Sequence, residues 1–271
     1  MNEARPANAR LPLLVIAGND PSGGAGIAAD LQAASALGLH PLPVITSITA
    51  QDTRDVVSVH PVPPAQVTEQ LHVLLDDISP AAVKIGLLPS EDVALAVVRC
   101  LRERLSAVPT VVDPVLKAGG GGRLADDPLA KVLREEILAE ATVTTPNRFE
   151  LARLVDSDEG ADPQTQAAAL ARQCACAVLV TGADVAADLD QPVVRNYAAL
   201  ADGTSRQWTW PRLPGRFHGS GCTLAAALAC ELAKGEALGP AMEAAQRYTA
   251  SALSQAIAPG RGQFIPGRMI K

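Results

Sequence analysis

The chain has 271 residues, enough for one large α/β domain or two small ones, and 48% of them are hydrophobic, so a sizeable core is available. Aromatic residues make up only 3%, so that core is built from Ala, Val, Leu and Ile. A net charge of -6 argues against nucleic acid or an anionic membrane surface as the main partner, and five cysteines without a regular framework point to a reducing compartment.

Residues 1–10 are polar and read as a disordered tail. The apolar run 11–17 is too short to span a bilayer and lacks the features of a signal peptide, so it reads as a buried strand in a cytoplasmic protein. Next come a helix over 25–37, strands over 43–49 and 56–59, a helix over 64–75, a strand over 82–85 and a helix over 91–105. A strand over 110–113, a helix over 128–138, a short strand at 143–144, helices over 147–155 and 163–174, and a strand over 177–181 follow. Residues 193–200 and 207–210 form a hairpin with Asp202-Gly203 at its turn, and helices over 221–233 and 238–257 close the chain. This alternation predicts a mostly parallel sheet with helices on both faces, in a single domain over 11–271. Ligands of such sheets collect at the carboxyl ends of the strands. An apolar edge near 43–49 makes a homodimer plausible.

The polar motifs sit after the predicted strands. Residues 18–30 (GNDPSGGAGIAAD) place four glycines within nine residues, which lets the backbone approach a ligand, and Asp30 one turn into the helix could bond a polar group. The run is neither a Walker A loop nor a dinucleotide fingerprint. Gln51, in Gln51-Asp52-Thr53, offers the donor and acceptor that a heteroaromatic ring requires. Asp113 ends a strand where it can reach Mg²⁺ or its water shell, and Lys117 with Gly119 to Gly122 could form a flap over phosphates. Asn147 can cap the next helix with Glu150 as its capping-box partner, a role compatible with holding Mg²⁺ through water. Thr181-Gly182 suits nucleotide phosphates or a plain strand exit. His218-Gly219-Ser220-Gly221-Cys222 opens an alanine-rich helix whose converging N–H groups make an anion site, with a thiol in the first turn where the helix dipole favours the thiolate. The spacing of Cys174 and Cys176 does not suit zinc, Cys100 and Cys230 read as core, and His40, His60, His72 and His218 read as structural or surface residues.

Together, 18–30, Ala50-Gln51-Asp52-Thr53, Lys84-Ile85-Gly86-Leu87-Leu88, Asp113-Pro114-Val115, Thr145-Pro146-Asn147 and His218–Thr223 (HGSGCT) resemble the hydroxymethylpyrimidine and phosphomethylpyrimidine kinases of thiamine biosynthesis, in the ribokinase-like superfamily. The resemblance implies a ribokinase-like three-layer sandwich. It implies a pyrimidine pocket lined by Gly18 and Asp30, with Gln51 reading the aminopyrimidine edge and Leu87 and Val115 as apolar walls. It also implies an Mg-ATP side with Asp113, Lys117, Asn147, Glu150, Thr181 and Gly182. Gly219, Ser220 and Gly221 form its anion hole, with Cys222 at the general-base position, which is aspartate in the superfamily's sugar kinases. Many relatives carry lysine where Thr181 stands, then Gly-Gly-His in place of Gly182-Ala183-Asp184, and Lys117 is the candidate replacement cation. Threonine is common at Ser220. The implied activity is ATP-dependent phosphorylation of 4-amino-5-hydroxymethyl-2-methylpyrimidine and then of its monophosphate. A pyridoxal kinase and a non-catalytic pyrimidine-binding regulator are the alternatives.

Overall fold

A computed structural model of the chain describes residues 10–116, 127–182 and 191–269. All but Arg10 of the expected tail, and the whole of the Lys117 and Gly119 to Gly122 segment, lie outside the described residues.

Among the described residues nine strands form one sheet. In chain order the elements are β1 (Pro12–Asn19), α1 (Gly26–Ala36), β2 (His40–Gln51), β3 (Val56–Pro61), α2 (Pro64–Asp77), β4 (Ala82–Ile85), α3 (Glu91–Arg104), β5 (Thr110–Val112), α4 (Asp127–Val132), β6 (Val143–Thr144), α5 (Arg148–Leu154), α6 (Pro163–Cys174), β7 (Ala177–Val180), β8 (Val193–Ala199), β9 (Ser205–Pro211), α7 (Ser220–Ala233) and α8 (Leu238–Ser254). The spatial order is β3-β2-β1-β4-β5-β6-β7-β8-β9. β2, β1, β4, β5, β6 and β7 run parallel, and β3, β8 and β9 pair antiparallel at the flanks. The chain winds outward from β1 to β3, then returns to the other side of β1 at β4. That reversal opens a crevice at the carboxyl ends of β1 and β4, the expected place for a ligand.

Strand alternation makes the three layers. Leu14 and Ile16 of β1 enter a core beneath α2 to α6, whereas Leu13, Val15 and Ala17 enter the core shared with α1, α7 and α8. The parallel strands β1, β4, β5, β6 and β7 are buried on both faces, which explains their apolar runs, whereas β2 alternates buried and exposed positions.

Several boundaries differ from the sequence reading. β2 spans 40–51 because it pairs with β1 from its first residue, Pro12 opposite His40. The helix expected over 128–138 is α4 followed by a π turn (Leu133–Ile137) and a 3₁₀ turn (Leu138–Glu140), and the widened turn keeps Leu133, Ile137 and Leu138 all in the core. α8 stops at Ser254, and Ile257 leaves to bond Ile265. The backbone edge expected at 43–49 is partly covered, while Pro43 is exposed and Ile48 stays 56% exposed. β3 pairs Ser47 to Gln51, and the Gln70 amide bonds both the N–H and the carbonyl of Ile45.

Candidate functional site

The β1–α1 loop and the turn before α7 meet over the crevice. A Cβ on Gly18 would lie 2.5 Å from Ser47 Oγ and 3.2 Å from Leu87, so these three positions touch only because residue 18 is glycine. The Asp20 carboxylate shapes the loop by accepting the N–H groups of Ser22 at 2.8 Å and Ala25 at 2.7 Å. Burial opposes its charge, yet hydrogen bonds from His218 and Ser22 and from the Ala25 N–H hold its pKa below the usual carboxylate value. Gly219 caps α7 in the left-handed region at φ 78°, and a Cβ there would also collide with the Gly24 carbonyl. No side chain caps α7, so its first N–H groups face the crevice unmet by a side-chain acceptor. Gly219, Ser220 and Gly221 thus stand where the sequence places an anion cradle, with no side-chain acceptor on the helix end.

Arg268, near the end of the chain, ties the two loops together. The residue is 1% exposed, and its guanidinium donates to Thr223 Oγ1 at 2.8 Å, to the Gly23 carbonyl, to Gln32, and to the Gly24 and Gly219 carbonyls. It places a buried positive charge behind the cradle. The sequence reading missed it, since nothing in Pro266-Gly267-Arg268 marks a residue that folds back to the opposite end of the chain.

A charge cluster lies beneath the cradle. Lys84 on β4 bonds Asp30 on α1 at 2.8 Å, and both side chains are 0% exposed. Asp30, expected to line the pyrimidine pocket, is therefore closed to solvent: a carboxylate on the buried face of α1 is held by the ammonium of β4 instead of facing a ligand. Burial pushes its pKa up, to about 6, against the pull of Lys84. Burial also opposes the Lys84 charge, but Asp30, Cys222 and Asp113 outweigh it and hold the ammonium above its ordinary value. The sequence did carry a signal for this pair, because a lysine inside the buried strand Ala-Val-Lys-Ile demands a counter-ion.

Asp113, 4% exposed, lies under the first turn of α7, with its Oδ1 3.7 Å from where a Cβ on Gly221 would sit. Burial raises its pKa, while Lys84 and a hydrogen bond from the Cys222 thiol lower it. The half-buried Cys222 is not the thiolate that the helix dipole suggested. Burial, reinforced by the charges of Asp113 and Asp30, pushes its thiol up to about 12 against the pull of Lys84 and the Gly26 N–H.

On the β2 side, Gln51, Thr49 and His218 form one polar group. His218 Nε2 is 2.9 Å from Asp20 Oδ2 and 3.2 Å from Gln51 Nε2. His218, read from sequence as structural, is thus part of the site, and its ring fills the space that a Cβ on Gly24 would occupy. Leu87 is half-buried and its carbonyl is held by Thr46 Oγ1 at 2.7 Å. The Ser47 hydroxyl beside Gly18 is buried with no partner among the described residues. Val115 is half-buried two residues beyond Asp113.

The remaining expected residues gather at the ends of β6 and β7. Asn147 caps α5 by accepting the Glu150 N–H at 2.8 Å, and Glu150 returns the bond from the Asn147 N–H at 2.9 Å. Glu150 also accepts the Leu116 N–H at 3.4 Å. Asn147 bridges to Thr181, and the Gly182 N–H is held by Asn196, itself bonded to Gln246. The Thr145 hydroxyl is 2% exposed in residue terms and has no partner among the described residues. Among the described residues no group of three or more His, Cys, Asp or Glu is arranged to hold a metal ion, and no helix is long and apolar enough to cross a membrane.

Comparison with known proteins agrees with this geometry. The family model described as phosphomethylpyrimidine kinase matches residues 20–266. The hydroxymethylpyrimidine/phosphomethylpyrimidine kinase of Rhizobium meliloti is 41% identical over 267 residues, covering 92% of this chain and 94% of that protein. The ADP complex of Bacillus subtilis pyridoxal kinase superposes with a TM-score of 0.85 at 27% identity, covering 96% of this chain and 98% of that one. The phosphomethylpyrimidine kinase of Clostridium difficile 630 superposes at 0.74 with 28% identity, covering 90% and 100%. The chain belongs to the phosphomethylpyrimidine kinase family, with the ribokinase-like fold, and is a phosphotransferase.

Proposed function

We propose that this enzyme transfers the γ-phosphoryl group of ATP to the hydroxymethyl oxygen of 4-amino-5-hydroxymethyl-2-methylpyrimidine, and then a second phosphoryl group onto the monophosphate, giving the pyrophosphate used in thiamine biosynthesis. The observation that carries the reading is the uncapped N-terminus of α7, with Cys222 and Asp113 beneath it, across the crevice from the donor–acceptor amide of Gln51. The ring lies against Leu87 and Val115, with Gln51 on its polar edge and the orphan Ser47 hydroxyl within the same pocket. The α7 N–H groups and the Arg268 charge behind them stabilise the transferring phosphoryl oxygens, which is most of what such a transfer requires.

Cys222 acts on the alcohol. Its thiol is protonated in the free enzyme, so it works as a relay: the hydroxymethyl proton passes to sulfur as the thiol proton passes to Asp113, whose raised pKa makes it a better acceptor. Asn147, Thr181 and Gly182 hold the ATP side, with the Thr145 hydroxyl as a further contact and Lys117 as the replacement cation. Asp113 and Glu150 would hold Mg²⁺ through water, since both Glu150 oxygens already accept N–H groups. When bound, the ion neutralises phosphate charge. Residues 11–271 act as one kinase domain, in the cytoplasm and as a homodimer; sedimentation velocity checks the dimer.

ATP consumption with the aminopyrimidine alcohol, and separately with its monophosphate, tests the proposal; turnover of neither refutes it. The B. subtilis likeness favours one second reading, pyridoxal phosphorylation, and pyridoxal turned over faster than the aminopyrimidine would select it. Transfer to none of the ring alcohols would revive a non-catalytic binding role.

A further inference from the structure

Four side chains on the β2 side of the site have more contacts than protons, and counting the protons decides how the pocket reads a ring. Asp20 accepts two backbone N–H groups and touches His218 Nε2 at 2.9 Å. An ionised carboxylate only accepts, so His218 carries a proton on Nε2 whether the ring is neutral or charged. Gln51 lies 3.2 Å from that same nitrogen, so the amide atom facing it must be the oxygen. The other end of the amide is 2.9 Å from Thr49 Oγ1, whose single proton is directed at the Asn19 carbonyl 2.8 Å away. Thr49 can then only accept from Gln51, so the amide NH₂ faces Thr49. This arrangement gives every contact a donor facing an acceptor, with the single Nε2 proton of His218 shared between Asp20 and Gln51; the opposite orientation sets donor against donor at His218 and asks two bonds of the Thr49 hydroxyl proton.

We infer that Asp20 and His218 are specificity-positioning residues: they lock the Gln51 amide in one orientation and thereby impose one donor–acceptor order on the ring it meets. The inference rests on the reading that Gln51 meets the ring edge. With its oxygen held toward His218 and its nitrogen toward Thr49, the amide keeps one lone pair and one N–H to offer, in fixed order. A 4-aminopyrimidine presents an amino donor beside a ring-nitrogen acceptor. Its 4-oxo analogue presents the reverse, a carbonyl acceptor beside an N–H donor. A locked amide pairs with one and sets like against like in the other. A freely turning glutamine would serve both.

The test is calorimetric binding of 4-amino-5-hydroxymethyl-2-methylpyrimidine and of its 4-oxo analogue. The unaltered enzyme should prefer the amino compound by on the order of 100-fold or more, because rejection leaves buried polar groups unpaired. In His218→Leu the Gln51 amide can turn, and the preference should fall below about tenfold. His218→Gln, whose amide N–H can reach Asp20, should keep most of it. A purely structural role predicts that His218→Leu weakens both compounds equally and leaves the preference intact, which would overturn the inference. The free, unaltered enzyme supplies a reading independent of any variant: ¹⁵N-histidine NMR should show His218 protonated at Nε2, and a neutral ring protonated only at Nδ1 would refute the lock. Gln51→Ala binding both compounds as the unaltered enzyme does would instead refute the ring contact itself, with the protonation of His218 still standing as measured.

Discussion

Lys84→Met removes one half of a fully buried ion pair and leaves Asp30 without its partner. Breaking such a pair costs about 3–5 kcal/mol, which for a chain of this size lowers Tm by roughly 10 °C. The loss should depend on pH. Asp30 has a folded pKa of about 6 against 3.8 for an ordinary aspartate, so the cost of burying its charge is absent below pH 3.8 and complete above pH 6. Without Lys84 the folded pKa rises further, and the cost goes on growing through neutral pH. At pH 5 Asp30 is mostly protonated in both proteins and contributes almost equally. At pH 8 an Asp30 forced to stay protonated costs about 3 kcal/mol more in the variant, at about 1.4 kcal/mol for each further pH unit. Asp113, raised by the same burial and lowered by the same lysine, adds to the effect with the same sign. Thermal unfolding at pH 5 and pH 8 therefore should show a Tm gap wider by about 5–10 °C at the higher pH. Lys84→Met with Asp30→Asn, which removes both charges, should recover most of the stability. A gap equal at both pH values, or a double variant no more stable than the single one, would refute the reasoning.

Three further outcomes follow from the cradle and its base. Cys222→Ala should slow phosphorylation of the alcohol by about 10²-fold or more, and the monophosphate step by less than tenfold, because a phosphate monoester is largely dianionic at neutral pH and needs no relay; equal losses in single-turnover assays would remove the relay. Gly219→Ala should reduce kcat by at least about 100-fold and also raise the aminopyrimidine KM, since the left-handed φ and the Gly24 carbonyl both exclude a side chain, and His218, next in the chain and packed on Gly24, holds Gln51. Arg268→Met should lower both Tm and kcat, leaving three backbone carbonyls, Gln32 and Thr223 without their donor, and Arg268→Lys should restore only part because one ammonium cannot span five acceptors.

The elements were legible where a residue's environment was set by its own segment. The run 82–85, bounded on both sides, was read to the residue as β4, and Asn147 with Glu150 formed the expected capping box because both halves lie within one turn. The candidate site was legible where glycine or a polar side chain had no local reason to be there, as at Gly18, Gln51 and Gly219, which the fold brings to one crevice. It was not legible where a charge acts across the fold. Lys84 meets Asp30 over a separation of 54 residues, and Arg268 meets Gly24 over 244. The largest error had the same origin. The dipole of α7 was correctly placed beside Cys222, but its local effect on the thiol is outweighed by burial and by the carboxylates of α1 and of the loop after β5, neither of which the local sequence could reveal. The base proposed for this site is therefore a property of the assembled cluster. Asp30, Lys84 and Asp113 set the proton affinity of Cys222, and that is why a substitution at Lys84, out of reach of any substrate, should still shift the pH at which the alcohol step runs.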